Sequence, residues 1–160
     1  MKTKTKLYAR ASLLDRLIDL APKSLQEYPP LRTQSRQAFM ASLRRDLGWL
    51  LNTRSPLPQS ELAHRQRSVI DYGIVDFSTF FTHNPDDYRG LKQLLEEAIT
   101  CYEPRLQAPR VTITPLPGNH QELAISIEAL LMIDEIKEPV SFPMIIRAHS
   151  SGEITFSHDD

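Results

Sequence analysis

From Tyr88 to Tyr102 the apolar side chains recur at helical spacing, with Tyr88, Leu91, Leu94, Leu95, Ala98, Ile99 and Tyr102 on one face. Asn84-Pro85-Asp86-Asp87, just before them, supplies a capping amide, a proline at the first helical position and two carboxylates in the first turn. The pattern predicts a helix over 85–102. Upstream, Phe39, Met40, Leu43, Leu47, Leu50 and Leu51 form a second stripe and predict a helix from about Thr33 to Leu51. Arg36, Gln37, Arg44 and Arg45 fall mostly off that stripe, as solvated charges would. Leu13, Leu14, Leu17 and Leu20 keep the same spacing behind Ser12, a suitable N-cap, and predict a shorter helix that Pro22, Pro29 and Pro30 bring to an end. Residues 55–83 have no single period. Pro56 and Pro58 open the stretch, and Phe77, Phe80 and Phe81 are apolar anchors of an ordered layer.

After Arg105 the period falls from 3.6 to 2. Val111 and Ile113 alternate with Arg110, Thr112 and Thr114, and Pro117-Gly118-Asn119-His120 reads as a turn. Leu123, Ile125, Ile127, Ala129, Leu131 and Ile133 then mark one face of a long strand. Leu130 and Met132 on its other face predict that its far end is covered on both sides. Val140, Phe142, Met144, Ile146 and Ala148 repeat the alternation, and Ser151-Gly152 leads into Ile154 and Phe156. Pro143 cannot donate to a ladder, so its strand is expected at an edge or at a bulge. Helices first and strands afterwards predict an α+β fold, with N-terminal helices packed on a C-terminal antiparallel β-meander of about four strands. The expected division is a flexible basic arm over 1–11, one α+β domain over 12–157 and a tail over 158–160.

Size and charge narrow the function. The chain has 160 residues, 41% of them hydrophobic and 24% charged, enough for a real core. Its formal charge of −1 gives no bulk attraction to nucleic acid or to a membrane surface. No apolar run approaches the ~20 residues of a membrane span, and charges interrupt Leu7–Leu20 where a signal peptide would need an apolar core. A soluble, cytoplasmic protein without direct membrane insertion is expected. The single Cys101 leaves no internal disulfide and no cysteine-based zinc site, and reads as a small buried or half-buried residue.

Catalytic chemistry is sparse. His64, His83, His120, His149 and His158 lack metal-ligand spacing, and no nucleophile elbow, phosphate loop or dinucleotide fingerprint is present. Neither a metal nor a cofactor is expected. Asp86-Asp87 and Glu96-Glu97 are the pairs a glycosidase would need, but a helix start and a solvated helical face explain them as well. Trp49, beside Gly48, suits either the core or an interface.

Glu103-Pro104-Arg105 stands where the clearest helix yields to the strand pattern. Proline stops the helix at or just before Glu103. A carboxylate there faces the negative end of the helix dipole, at a cost of roughly 0.3–1 kcal/mol when exposed. A guanidinium two residues later offsets it. The tripeptide is either a local salt bridge at a solvated corner or a charged junction that organises neighbouring loops or meets a partner.

Ser12-Leu-Leu-Asp-Arg-Leu17, Ser42-Leu-Arg-Arg-Asp-Leu-Gly-Trp-Leu-Leu-Asn-Thr-Arg54 and Ser68-Val-Ile-Asp-Tyr-Gly73 resemble the TssE family, the small baseplate subunit of bacterial type VI secretion systems. Asp76-Phe-Ser78, the Glu-Pro-Arg tripeptide, Ile127-Glu-Ala-Leu-Leu131 and Pro139-Val-Ser-Phe142 carry the same resemblance in order along the chain. That family is similar to the baseplate wedge proteins of contractile-tailed phages, whose "lysozyme-like" label keeps a peptidoglycan-cleaving enzyme as the alternative. The resemblance implies a structural subunit without catalysis, joined to TssF and TssG in a baseplate wedge docked at the membrane. It also implies a platform for the first ring of contractile sheath, built of TssB and TssC, through strand pairing. Glu103, Pro104 and Arg105 are, by the same resemblance, the residues that link helix to sheet and support docking.

Overall fold

A computed structural model describes residues 8–19, 21–25, 33–62, 64–77, 85–116, 119–133, 136–147 and 152–157. In chain order these form β1 (Tyr8–Arg10), α1 (Leu13–Leu17), β2 (Thr33–Ser35), α2 (Arg36–Asn52), α3 (Gln59–Leu62), a 3-10 turn (Val69–Asp71) and α4 (Pro85–Tyr102). There follow β3 (Leu106–Leu116), β4 (Asn119–Ile133), β5 (Ile136–Arg147) and β6 (Glu153–Phe156). Helices precede an antiparallel four-stranded meander in the order β3-β4-β5-β6, so the α+β expectation holds.

Alternation decides which face of the sheet is buried. Leu123, Ile125, Ile127, Leu131 and Ile133 of β4 lie beside Phe142, Met144 and Ile146 of β5 in one core. α2 adds Phe39, Leu43, Leu47, Leu50 and Leu51, and α4 adds Leu91, Leu95, Ala98 and Ile99. Burying one such side chain is worth roughly 1.5–3 kcal/mol, so the two stripes hold the helices to the sheet.

Several expectations change. The last residues of the supposed flexible arm are a strand: Tyr8, Ala9 and Arg10 pair with Ser35, Gln34 and Thr33. The same pairing takes Thr33–Ser35 out of the second helix, which starts at Arg36 behind the Ser35 cap. α1 begins at its Ser12 cap as expected, yet it buries no side chain, and Leu13 and Leu17 stand in solvent. Cys101 is exposed because it falls off the buried stripe of α4. Leu130 is exposed too, whereas Met132 is half-buried, so the second face at the far end of β4 is only partly covered by the described residues. Phe77 is buried, whereas Phe80, Phe81, Asn84, Leu20 and Ala148 lie outside the described residues.

Pro143 is placed by its missing N–H. β5 pairs with β4 along its whole length, but with β6 only from Met144 to Arg147. Pro143 is where the second pairing stops. β5 is thus an inner strand over one part and an edge, among the described strands, over the other.

Candidate functional site

α4 ends as proline demands. Glu103 N–H makes the last helical bond, to Ile99 O at 2.9 Å, and Leu106 N–H closes the turn on Glu103 O at 3.0 Å. The sheet begins at once, with Met132 N–H of β4 donating to Arg105 O at 2.9 Å. The tripeptide is therefore the corner where α4 is joined to β3 and β4.

Glu103 is buried, and a buried carboxylate must be paired or it destabilises the fold. Arg105 supplies the pair as a fork, Nε to Oε1 at 2.6 Å and Nη2 to Oε2 at 2.5 Å. The same Nη2 donates to Asp46 Oδ2 of α2 at 2.7 Å, and the guanidinium lies 5.7 Å from the Phe39 ring. Burial by itself lowers the pKa of Arg105, but hydrogen bonds and charge from Glu103 and then Asp46 raise it on balance. Pro104 between the two charged residues is exposed.

The pairing continues past Asp46. Arg45 donates to Asp46 Oδ1 from Nε at 2.9 Å and reaches Asp15 Oδ1 of α1 from Nη1 at 2.9 Å. Ser42 and Ser12 both donate to Asp15 Oδ2, at 2.7 and 2.8 Å. Two guanidiniums, Arg45 and Arg105, thus face three carboxylates, Asp15, Asp46 and Glu103. For Asp15, burial pushes the pKa up, while the bonds from Ser42, Ser12 and Arg45 outweigh it and leave the carboxyl below its ordinary value. Tyr72 closes the corner from the 3-10 turn. Burial raises its phenol pKa, and the charges of Asp46 and Glu103 raise it further. Its ring meets Tyr102 edge-on, centroids 5.3 Å apart.

A groove of about 530 Å³ opens beside the corner, lined among others by Leu14, Trp49, Glu103, Pro104, Arg105 and Met132. Trp49, 51% exposed, is held there by the Arg45 guanidinium 5.0 Å from its ring. Of the two sites open to Trp49, the structure places it at the surface.

Three of the four carboxylates weighed for a hydrolase have partners within the fold. Asp86 and Glu96 are ten residues apart on α4, so the two acidic pairs sit roughly 15 Å apart along the helix axis at 1.5 Å per residue. Asp86 pairs with Arg89, Glu96 accepts Val111 N–H at 2.8 Å, and Glu97 pairs with Arg67 at 2.9 Å. Among the described residues no cluster of three or more His, Cys, Asp or Glu is disposed to hold a metal, and no helix is long and apolar enough to cross a membrane.

Arg45, read from the sequence as a solvated charge, is instead the link between Asp15 and Asp46. Ser42, Arg45, Asp46 and Trp49 recur at i, i+3, i+4 and i+7 on α2, a polar stripe beside the apolar one. That spacing was the available signal.

The profile of the family described as baseplate wedge protein gp25 matches residues 37–135, a span that includes Glu103, Pro104 and Arg105. The fold is also similar to a chain of a solved structure titled "The baseplate complex from the type VI secretion system". That match has 17% identity and a TM-score of 0.48, and covers 77% of this chain and 97% of that one. No curated protein matches the chain.

Proposed function

The chain belongs to the baseplate wedge protein gp25 family, and on that footing we propose that it is the TssE-type structural subunit of a bacterial type VI secretion baseplate. It joins TssF and TssG in a wedge on the cytoplasmic side of a membrane-docked assembly. It then offers its sheet as the platform on which TssB and TssC begin the contractile sheath by strand pairing. The observation that carries this reading is the family match, whose span of residues 37–135 takes in the Glu103-Pro104-Arg105 corner.

Physically, a platform must hold its shape while a polymer grows from it. The corner does this by locking α4, α2 and the first two strands of the meander to one another through hydrogen-bonded charges and the backbone bond from Met132 to Arg105. A buried ion pair is weak evidence for stability but fixes geometry, because each partner is costly to leave unpaired. No catalysis is part of this role.

The test is co-purification. Affinity-tagged protein co-expressed with TssF and TssG should retain both, and recruit TssB–TssC when those are added. Failure to retain TssF and TssG would overturn the baseplate reading. Purified protein should release no fragments from peptidoglycan. Cleavage that disappears in Glu96→Ala would restore the enzymatic alternative.

A further inference from the structure

The free backbone groups of the four-stranded sheet are unevenly distributed. Ser157 N–H donates to Pro143 O at 3.1 Å, so Pro143 turns its backbone away from β4. In an antiparallel strand the N–H and C=O of one residue share a side, and the side alternates along the chain. β5 keeps unbroken register with β4 from Ile136 to Arg147, so Lys137, Pro139 and Ser141 point outward as well. β6 stops at Phe156, opposite Met144. Beyond it the carbonyls of Lys137, Pro139 and Ser141 and the amides of Lys137 and Ser141 meet no hydrogen-bonding group of the described residues.

Side chains occupy part of the other flanks. Outside β6, the Asn52 amide takes the place of a strand: Nδ2 donates to Ile154 O at 2.8 Å, and Ile154 N–H donates to Oδ1 at 2.9 Å. Outside β3, Val111 N–H is held by Glu96 Oε1 at 2.8 Å. Pro115, with the same outward parity as Val111, has no N–H, which leaves Ile113 with the one outward amide of Val111–Pro115 that no described group holds.

We propose that an extended segment of a sheath subunit adds to this sheet along the outer side of β5, at Lys137–Ser141, end to end with β6. The inference rests on the strand-pairing reading above and names the edge it uses. The slot is about 17 Å long at 3.3 Å per residue. It is rich in acceptors: the entering segment receives an N–H from Lys137 and Ser141 but must supply N–H groups to Lys137, Pro139 and Ser141. A proline in the entering segment opposite any of these would leave a carbonyl unpaired. Pro139 also weakens pairing between two copies of the same edge, since each would lack that donor.

Residue-resolved amide hydrogen exchange of the full chain, free and bound to purified TssB–TssC, tests the edge. Binding should slow exchange at Lys137 and Ser141 by at least tenfold and leave Ile113 unchanged. Protection of Ile113 in place of Lys137 and Ser141 would overturn the edge while sparing strand pairing. Binding that slows none of them would overturn strand pairing itself. Amides of Lys137 and Ser141 already protected in the free protein would show the slot to be filled, and would also overturn the proposal. As a second arm, Ser141→Pro extends the outward proline pattern of Pro139 and Pro143 without removing a backbone bond to β4; the 3.2 Å hydroxyl bond between Ser141 and Ser126 of β4 is lost in Ser141→Ala as well, which controls for it. It should cut TssB–TssC capture at least tenfold while TssF–TssG retention persists, with Ser141→Ala like wild type. Undiminished capture by folded Ser141→Pro would count against the edge.

Discussion

The guanidinium of Arg105, at the turn into β3, holds the carboxylate of Asp46 on α2 at 2.7 Å across 59 residues of sequence. A tripeptide that is local in sequence is thereby a long-range tie, and its effects on stability should reach well beyond the corner itself.

Arg105→Ala leaves Glu103 buried without its partner. Breaking a buried pair by removing one member costs about 3–5 kcal/mol. The lower end is expected here, because the Arg105 side chain keeps 19% of its surface exposed. Urea denaturation should show the fall in midpoint. Arg105→Lys should lie between, since an ammonium cannot serve Glu103 as a fork while also reaching Asp46. An unchanged midpoint in Arg105→Ala would make the pairing ornamental.

Asp46 and Arg105 should be coupled. A double-mutant cycle with Asp46→Asn and Arg105→Lys is expected to give an interaction energy of about 0.5–3 kcal/mol, as for contacting residues in one charge network. Strict additivity would mean that Asp46 answers to Arg45 alone.

Acid should act through Asp15. Its folded pKa lies below its ordinary value, so its contribution is fully present above the unfolded pKa and is lost as pH falls through the folded pKa. With an unfolded value near 3.9, the loss begins at about pH 4 and continues below it. Denaturation midpoints of wild type should therefore decline more steeply below about pH 4 than those of Asp15→Asn. Parallel profiles would contradict the assignment.

Gly73→Ala should destabilise strongly. Gly73 has φ +115, and a Cβ there would stand 2.5 Å from Thr53 O. A side chain in that conformation costs at least 1–2 kcal/mol before the clash is counted. Leu17→Ser, on exposed α1, is the contrasting substitution and should shift stability by less than about 0.5 kcal/mol.

Periodicity made α4, α2 and the meander legible, because each buries one face against a large core and repeats its signal over many residues. The strand at Tyr8–Arg10 was not legible. It is three residues long, sits among basic residues, and exists through pairing with Thr33–Ser35, which no local pattern reveals. Exposure misled at α1, where leucine spacing marks a helix but does not say whether anything covers it. At the corner, the charge pair of Glu103 and Arg105 could be read from the tripeptide. The reach to Asp46 and on to Asp15 could not, since it depends on how α2 lies across α4. Residues whose role is set by neighbours distant in sequence stay hidden until the packing is known.

On the function proposed above, the Glu103-Pro104-Arg105 corner holds the platform on which assembly depends. That role is tested most directly by comparing capture of TssF–TssG and TssB–TssC by wild type and Arg105→Ala, at a low temperature where circular dichroism shows both folded. Domains commonly have 5–15 kcal/mol of stability, so a loss of about 3 kcal/mol leaves the variant foldable for this comparison. Capture by folded Arg105→Ala is expected to fall at least tenfold. Wild-type capture by that folded variant would contradict the account.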